Sequence, residues 1–156
     1  MTDPSTEVWF DVYGLRIRVH GDWPEVVEAL RRDFAWFAAA AGPVHASAHV
    51  TRRPPNLRGF GPLEAHSITW RSVEYRDSSR RIFDFGRAVA VDDGAGNLAI
   101  EGQHGWMVWR ASHEFLLARI GEHLDRIGLT RVNGLGLSGQ EGAVLVLIPM
   151  GGKALR

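Results

Sequence analysis

Alternation of apolar and polar residues between positions 67 and 101 is the feature that most constrains the fold of this chain. The alternation is typical of strands that have one buried face. Turns rich in Asp, Ser and Gly interrupt it and leave four candidate strands: residues 67–75, 81–86, 87–93 and 97–102. Because short strands joined by tight turns pair with their neighbours in sequence, this region predicts an antiparallel meander.

Three segments before the meander complete the predicted strand inventory of the first half. Residues 7–19 alternate around Tyr13-Gly14 and predict two strands joined or bent at that point. Residues 44–51 alternate small and polar side chains and predict a modest strand. Residues 52–62 contain three prolines, two glycines and three arginines and predict a surface loop. Its arginines could contact an anion, although an ordinary solvated loop is the simpler interpretation.

The first predicted helix covers residues 23–40. Asp22 is expected to accept hydrogen bonds from the first free amides, and Glu25 would complete a capping box. The alanine-rich end of the helix leads into Gly42-Pro43, which predicts its termination. Its apolar stripe comprises Trp23, Val26, Val27, Leu30, Phe34 and Phe37.

The second predicted helix covers residues 106–128, with Gly128 as the left-handed residue that ends it. Its apolar stripe comprises Trp109, Leu116, Ile120, Leu124 and Ile127. Since each helix is apolar on one side only, both should pack on a sheet. The predicted fold class is therefore α+β: two amphipathic helices packed on a mainly antiparallel sheet of about eight strands.

Composition narrows the class of protein. The 18 basic residues balance the 18 acidic ones, so nothing favours a nucleic-acid or membrane partner. The absence of cysteine excludes disulfides, thiolate chemistry and cysteine-based zinc sites. The N-terminus is polar and acidic, unlike a signal peptide, and no apolar run approaches the roughly 20 residues that span a bilayer. A cytoplasmic location is the expectation.

The seven histidines do not predict a metal site. His104, His113 and His123 are separated by nine and ten residues, whereas ligands on one helix face need a four-residue step. His45 and His49 would lie about 13 Å apart on a strand. Surface or half-buried histidines are the expected outcome.

Six tryptophans are many for this length. An exposed aromatic pair could stack on a sugar or a base, or mark a partner surface. Trp36 lies off the apolar stripe of its helix and is a candidate to cover a neighbouring element, and Trp70 has no clear place. The tryptophans predicted to lie in the core are Trp9, Trp23, Trp106 and Trp109.

The end of the chain predicts a phosphate-binding loop. Residues 143–148 are an apolar, β-branched run typical of a strand buried on both faces, preceded by a predicted strand at 130–137 and a hairpin loop at 138–142. Gly151, Gly152 and Lys153 follow, and glycine-freed amides with a lysine ammonium can surround phosphate oxygens. The full pattern GxxxxGK[ST] is not matched, since Leu147 replaces the first Gly and Ala154 the Ser or Thr that binds Mg²⁺.

A resemblance rests on several segments. Residues 121–137 contain Gly-x-x-Leu-Asp-Arg-x-Gly-Leu and Arg-Val-x-x-Leu-Gly-Leu, and residues 143–153 read AVLVLIPMGGK. Together they resemble the HPr kinase/phosphorylase-related bacterial kinases, in which such a helix and strand pair lead into a phosphate loop. Residues 13–18 and 83–88 are similar to the region before that loop.

The resemblance implies binding of ATP and Mg²⁺ and phosphoryl transfer to a protein or small-molecule hydroxyl. Only Gly151, Gly152 and Lys153 have counterparts here, as cofactor-binding residues. No catalytic residue and no metal ligand can be carried over. The chain is thus predicted to be a single, incomplete domain over 1–156, made of a strand, helix and meander region (1–105) and a helix, strand pair and loop start (106–156).

Two functions remain open at this point. The first is the front portion of an ATP-dependent kinase, weak or inactive on its own, with a small protein among its expected substrates. The second is a non-catalytic binding or scaffold module derived from that family and capable of self-association.

Overall fold

The structure, a computed structural model, describes residues 6–60, 62–69, 72–77, 80–129, 134–139 and 142–147, with the backbone alone in the last two ranges. The chain divides into two units, one ending at Ile120 and one beginning at Gly121. In the described part of the chain, no helix is both long and apolar enough to cross a membrane.

The first unit is built on an eight-stranded sheet, and the fold is α+β as predicted. The strand order is β1-β2-β3-β8-β7-β6-β5-β4, antiparallel except for the parallel pairs β2–β3 and β3–β8. The elements are β1 Thr6–Val12, β2 Leu15–Gly21, α1 Pro24–Asp33, β3 Ala46–Arg52, β4 Ala65–Ile68, β5 Val73–Asp77, β6 Arg80–Asp84, β7 Ala88–Asp92, β8 Asn97–Gly102 and α2 Gly105–Arg126.

The predicted meander is confirmed, with one correction. Residues 67–75 were expected to form one strand, but they contribute to two antiparallel strands, β4 and β5. Thr69 and Ser72 close the reversal between them: the Thr69 amide donates to the Ser72 carbonyl at 2.9 Å, and the Ser72 amide donates to Thr69 Oγ1 at 3.0 Å. Hydroxyl side chains that bond nearby backbone groups favour turns, and here this outweighs the strand pattern.

Helix α1 is shorter than predicted at both ends. Asp22 does not cap it, because Asp22 Oδ1 accepts from the Arg52 amide at 2.7 Å and so joins the start of the helix region to β3. The helix ends at Asp33 rather than near residue 40. Beyond it, Ala38 bridges to Phe10 and the Ala39 amide donates to the Trp9 carbonyl at 2.9 Å. The alanine run pairs with the outer edge of β1, and these backbone hydrogen bonds outweigh the helix propensity of the alanines.

Both helices cover one face of the sheet, here called the helix face. Side chains of β2, β3 and β8 on this face are buried, among them Ile17, Val50 and Ile100. Helix α2 approaches so closely that a Cβ on Gly102 would lie 2.6 Å from Val108 Cγ2. The two helices also contact each other, since Trp109 Nε1 donates to Asp33 Oδ2 at 2.6 Å.

The tryptophan predictions met mixed outcomes. Trp23 is buried, as expected. Trp106 was predicted to lie in the core but is 58% exposed, because Val108 rather than Trp106 faces the sheet. Trp36 is 96% exposed and covers no neighbouring element in the described part of the chain. Trp9 is half-buried on the opposite face of β1 from Phe10, with the Arg18 guanidinium 5.7 Å from its ring centroid.

One carboxylate is fully buried on the helix face. The side chain of Asp92 has no exposed area. Its Oδ2 accepts a hydrogen bond from Arg81 Nη2 at 2.5 Å, and its Oδ1 accepts one from Arg119 Nη2 at 2.7 Å. The Gly94 amide also donates to Asp92 Oδ1 at 2.9 Å. Since a buried charge must be paired and hydrogen-bonded, this cluster holds β6, β7 and α2 together.

The second unit contains a strand hairpin close to the predicted one. Strands β9 (Gly134–Gly139) and β10 (Gly142–Leu147) are antiparallel, with Gly139 opposite Gly142 and Gly134 opposite Leu147. The strands extend further toward the turn than predicted, so the connection is shorter than residues 138–142. Gly128, after α2, has a φ of +76°, which confirms it as the left-handed residue at the helix end.

Candidate functional site

The residues predicted to bind phosphate lie outside the described residues. Gly151, Gly152 and Lys153 all fall beyond Leu147, the last residue that the structure describes. The strand expected to lead into them is present as β10, which pairs with β9. Only the backbone of β10 is described, so the predicted burial of its side chains on both faces concerns atoms outside the described part of the structure.

The two upstream segments of the resemblance, residues 13–18 and 83–88, each contain a tight turn next to strand residues. Tyr13 and Gly14 have φ values of +52° and +89° and join β1 to β2, with the Gly14 amide donating to Asp11 Oδ1 at 2.8 Å. Gly86, with a φ of +80°, turns the chain between β6 and β7 and donates its amide to Asp84 Oδ1 at 2.6 Å. These residues therefore have local structural roles in shaping the hairpins.

The face of the sheet opposite the helices, here called the open face, carries a cleft of about 690 Å³. Its floor includes His49 and Thr51 of β3, Ala99 and Glu101 of β8 and Val91 of β7. The proline-rich segment 53–60, which includes Phe60, forms a wall of the cleft. A volume of this size lies within the range of small-molecule sites, which are mostly apolar with a few polar groups.

Glu101 anchors the proline-rich wall to the sheet. Its Oε2 accepts from Arg53 Nε, and its Oε1 accepts from the Asn56 amide at 2.7 Å. Charge-assisted hydrogen bonds of this kind are stronger than neutral ones. The segment was predicted to be a surface loop, and it is one, but a single carboxylate at two contacts fixes it over the open face.

Two of the three arginines of the predicted loop, Arg52 and Arg53, contact the protein's own groups. Arg53 pairs with Glu101, and the Arg52 guanidinium lies 5.3 Å from the Trp23 ring centroid. Phe60, which bounds the cleft, is itself covered by Arg80, 5.6 Å from its ring centroid. These contacts give Arg52 and Arg53 structural roles, which weakens the case for an anion site at these two residues.

Two imidazoles stack on the open face beside the cleft. The rings of His20 and His49 are 4.7 Å apart and inclined by only 12°. Burial lowers the pKa of His20 below its ordinary 6.5, and the charges of Arg18 and His49 act in the same direction while Glu7 opposes them. His20 is therefore mainly neutral near pH 7.

The pair of stacked histidines was missed by local sequence patterns. His20 and His49 meet because β2 and β3 are parallel in a register that sets them opposite each other. Parallel pairing of strands so distant in sequence leaves no local signal. The considered pair His45 and His49 does not converge: His45 Nδ1 instead accepts from the Arg16 amide at 3.0 Å. Among the residues described, no group of three or more His, Asp or Glu is placed to hold a metal ion.

Comparisons with known proteins found no matching family model, no matching curated protein and no matching solved structure. Assignment of a function therefore rests on the chain's own residues and geometry.

Proposed function

We propose that this chain is the front portion of an HPr-kinase-like, ATP-dependent kinase. The observation that carries the proposal is β10, an apolar strand that ends at Leu147, shortly before Gly151, Gly152 and Lys153. A strand followed by glycines and a lysine is the order of elements in a phosphate loop. In the intact site these three residues would hold the β- and γ-phosphates of ATP.

The proposed activity of the chain alone is weak or absent. Ala154 stands where phosphate loops carry the hydroxyl that binds Mg²⁺, and this ion offsets charge during phosphoryl transfer. Binding of ATP and transfer of its γ-phosphoryl group are therefore separable properties. The proposal concerns binding in this chain and catalysis only in a complete kinase.

Thermal unfolding with ligands tests the proposal. ATP with Mg²⁺ should raise the melting temperature more than adenosine at the same concentration, because the extra contacts are made to phosphates. Lys153→Gln should remove that difference. Arg156→Gln, which removes a cation three residues further on, is the matched control and should retain it. Equal shifts with ATP and adenosine in the wild type would refute the proposal.

A second candidate function, a non-catalytic scaffold that self-associates, is favoured by the β9–β10 hairpin. Within the described residues these two strands pair only with each other. A two-stranded sheet alone is marginally stable in water, and an unpaired strand edge invites pairing with another chain. Sedimentation velocity should show dimers that increase with concentration, whereas a monomer at all concentrations would argue against a scaffold.

A further inference from the structure

A row of side chains crosses the open face through the cleft, and one position in it is nearly empty. Strand pairing aligns His20, His49, Ala99 and Val91 on four neighbouring strands, in that order. The first two are imidazoles, the third is a methyl group and the fourth is a branched aliphatic side chain. Ala99 is exposed, so the space above it opens to solvent between larger neighbours. This space is called here the Ala99 gap.

The spacing of the row suits a flat ring. Neighbouring strands lie about 4.8 Å apart, and the His20 and His49 rings repeat that spacing, with centroids 4.7 Å apart. A ring seated above Ala99 would be one further strand spacing from His49. Aromatic rings stack with centroids about 4.5–7 Å apart, so His49 would contact this ring through the face that His20 leaves open. Val91 would contact the other side of the ring.

Polar groups lie at both ends of the Ala99 gap along the strands. On one side, Thr51 and Glu101 are paired across β3 and β8, and both line the cleft. On the other side Ser47 and Asn97 are paired, with Ser47 Oγ 2.8 Å from Asn97 Oδ1. The gap therefore has apolar or aromatic sides and hydrogen-bonding ends. A planar molecule with polar atoms on its edge matches both features.

We infer that the Ala99 gap binds a small planar heteroaromatic molecule of nucleobase size, stacked on His49 and bounded by Val91 and Phe60. The ring enters from solvent, and its polar edge points along the strands toward Thr51 or Ser47. The site lies entirely in the unit that ends at Ile120. It uses none of Gly151, Gly152 and Lys153. A negative result for the proposed phosphate site would therefore leave this inference unaffected, and the reverse is also true.

Titration with adenosine and with uridine, followed by NMR, tests the inference. Stacking should move the Ala99 methyl resonance upfield and shift the His49 ring protons, while ribose alone should move neither. Ala99→Leu fills the gap and should weaken binding about tenfold, since the base can then no longer stack on His49. Ala65→Leu, at an exposed alanine of the edge strand β4, is the matched control and should bind as the wild type does.

The role of His49 is separated from a merely structural one by two substitutions. His49→Phe keeps an aromatic ring face and should retain binding, whereas His49→Ala should lose about as much as Ala99→Leu. Both variants should retain the wild-type fold, because His49 is exposed. The inference is overturned if neither nucleoside shifts the Ala99 methyl in the wild type, or if Ala99→Leu binds them as well as the wild type.

Discussion

The two faces of the eight-stranded sheet are made from alternate residues of the same strands, yet they are organised differently. On the helix face, aliphatic side chains such as Ile100 are buried under two helices, and the buried charge of Asp92 is paired twice. On the open face, Ile82 and Val89 are also buried, but histidines, hydroxyls and exposed ion pairs lie around a cleft that the segment 53–60 borders. In the central strands β2, β3 and β8, the side chains of the first face are mostly buried, whereas those of the second face are half-buried or exposed. The following predictions test that division, from the largest effect to the smallest.

Substitutions at adjacent residues of β8 should show the contrast most strongly. Ile100→Ala should lower the free energy of unfolding by about 4 kcal/mol, because a central strand leaves the cavity little room to collapse. Ala99→Ser, on the open face of the same strand, should change it by less than about 0.5 kcal/mol. Urea unfolding followed by fluorescence measures both. Comparable losses would show that the open face is part of the core.

The ion pairs of the two faces should differ in the same direction. Asp92→Asn should cost about 3 kcal/mol, because the two arginine head groups lose the buried charge that they surround. Glu7→Gln, which removes the open-face partner of Arg18, should cost less than about 1 kcal/mol.

Salt sharpens this comparison of ion pairs. Raising the ionic strength to 1 M should reduce the effect of Glu7→Gln and leave that of Asp92→Asn almost unchanged, because buried pairs are screened much less. Urea unfolding at the two salt concentrations measures this. Equal salt sensitivity of the two variants would contradict the assignment of Asp92 to a dry environment.

The smallest expected effect is the pH dependence contributed by His20. Its pKa is lowered in the folded protein, chiefly by burial, so the unfolded chain binds the proton more tightly. Stability from this source is present above about pH 6.5 and is lost as the pH falls below it. His20→Phe keeps a ring in the stack and should flatten the fall in melting temperature between pH 7 and pH 5. His66→Gln, at an exposed histidine of β4, is the matched control; the same flattening in both variants would exclude this role of His20.

Predictions from sequence succeeded where the determinants are local. The alternation of Leu15, Ile17 and Val19 correctly placed them on one buried face of β2, and the turn at Tyr13-Gly14 is where the pattern located it. They failed where distant hydrogen bonds compete with local preference. The end of α1 depends on the edge of β1 at Trp9 and Phe10, which no helix propensity can reveal.

The cleft lay beyond prediction for the same reason. The parallel position of β3 between β2 and β8 brings His20, His49 and Ala99 into one row, although they come from three separate parts of the chain. Glu101 looked like the ordinary polar residue of an alternating strand, and its hold on the loop at Arg53 and Asn56 depends on tertiary geometry. By contrast, the interpretation of Gly151–Lys153 rests on a local motif, so its chemistry could be proposed from sequence.

The contact of Ala38 and Ala39 with β1 makes the two borders of the sheet unequal. At β1, backbone groups of Phe10 and Trp9 are already satisfied from outside, whereas all four residues of β4 are exposed. Within the described residues β4 is the last strand of the sheet, so a strand of another molecule could pair with it. The same pairing would be obstructed along the middle of β1. Two molecules could therefore pair edge to edge through β4. A fibre would need β4 of each molecule to pair with β1 of the next, and the contact of Ala38 and Ala39 with β1 obstructs that pairing.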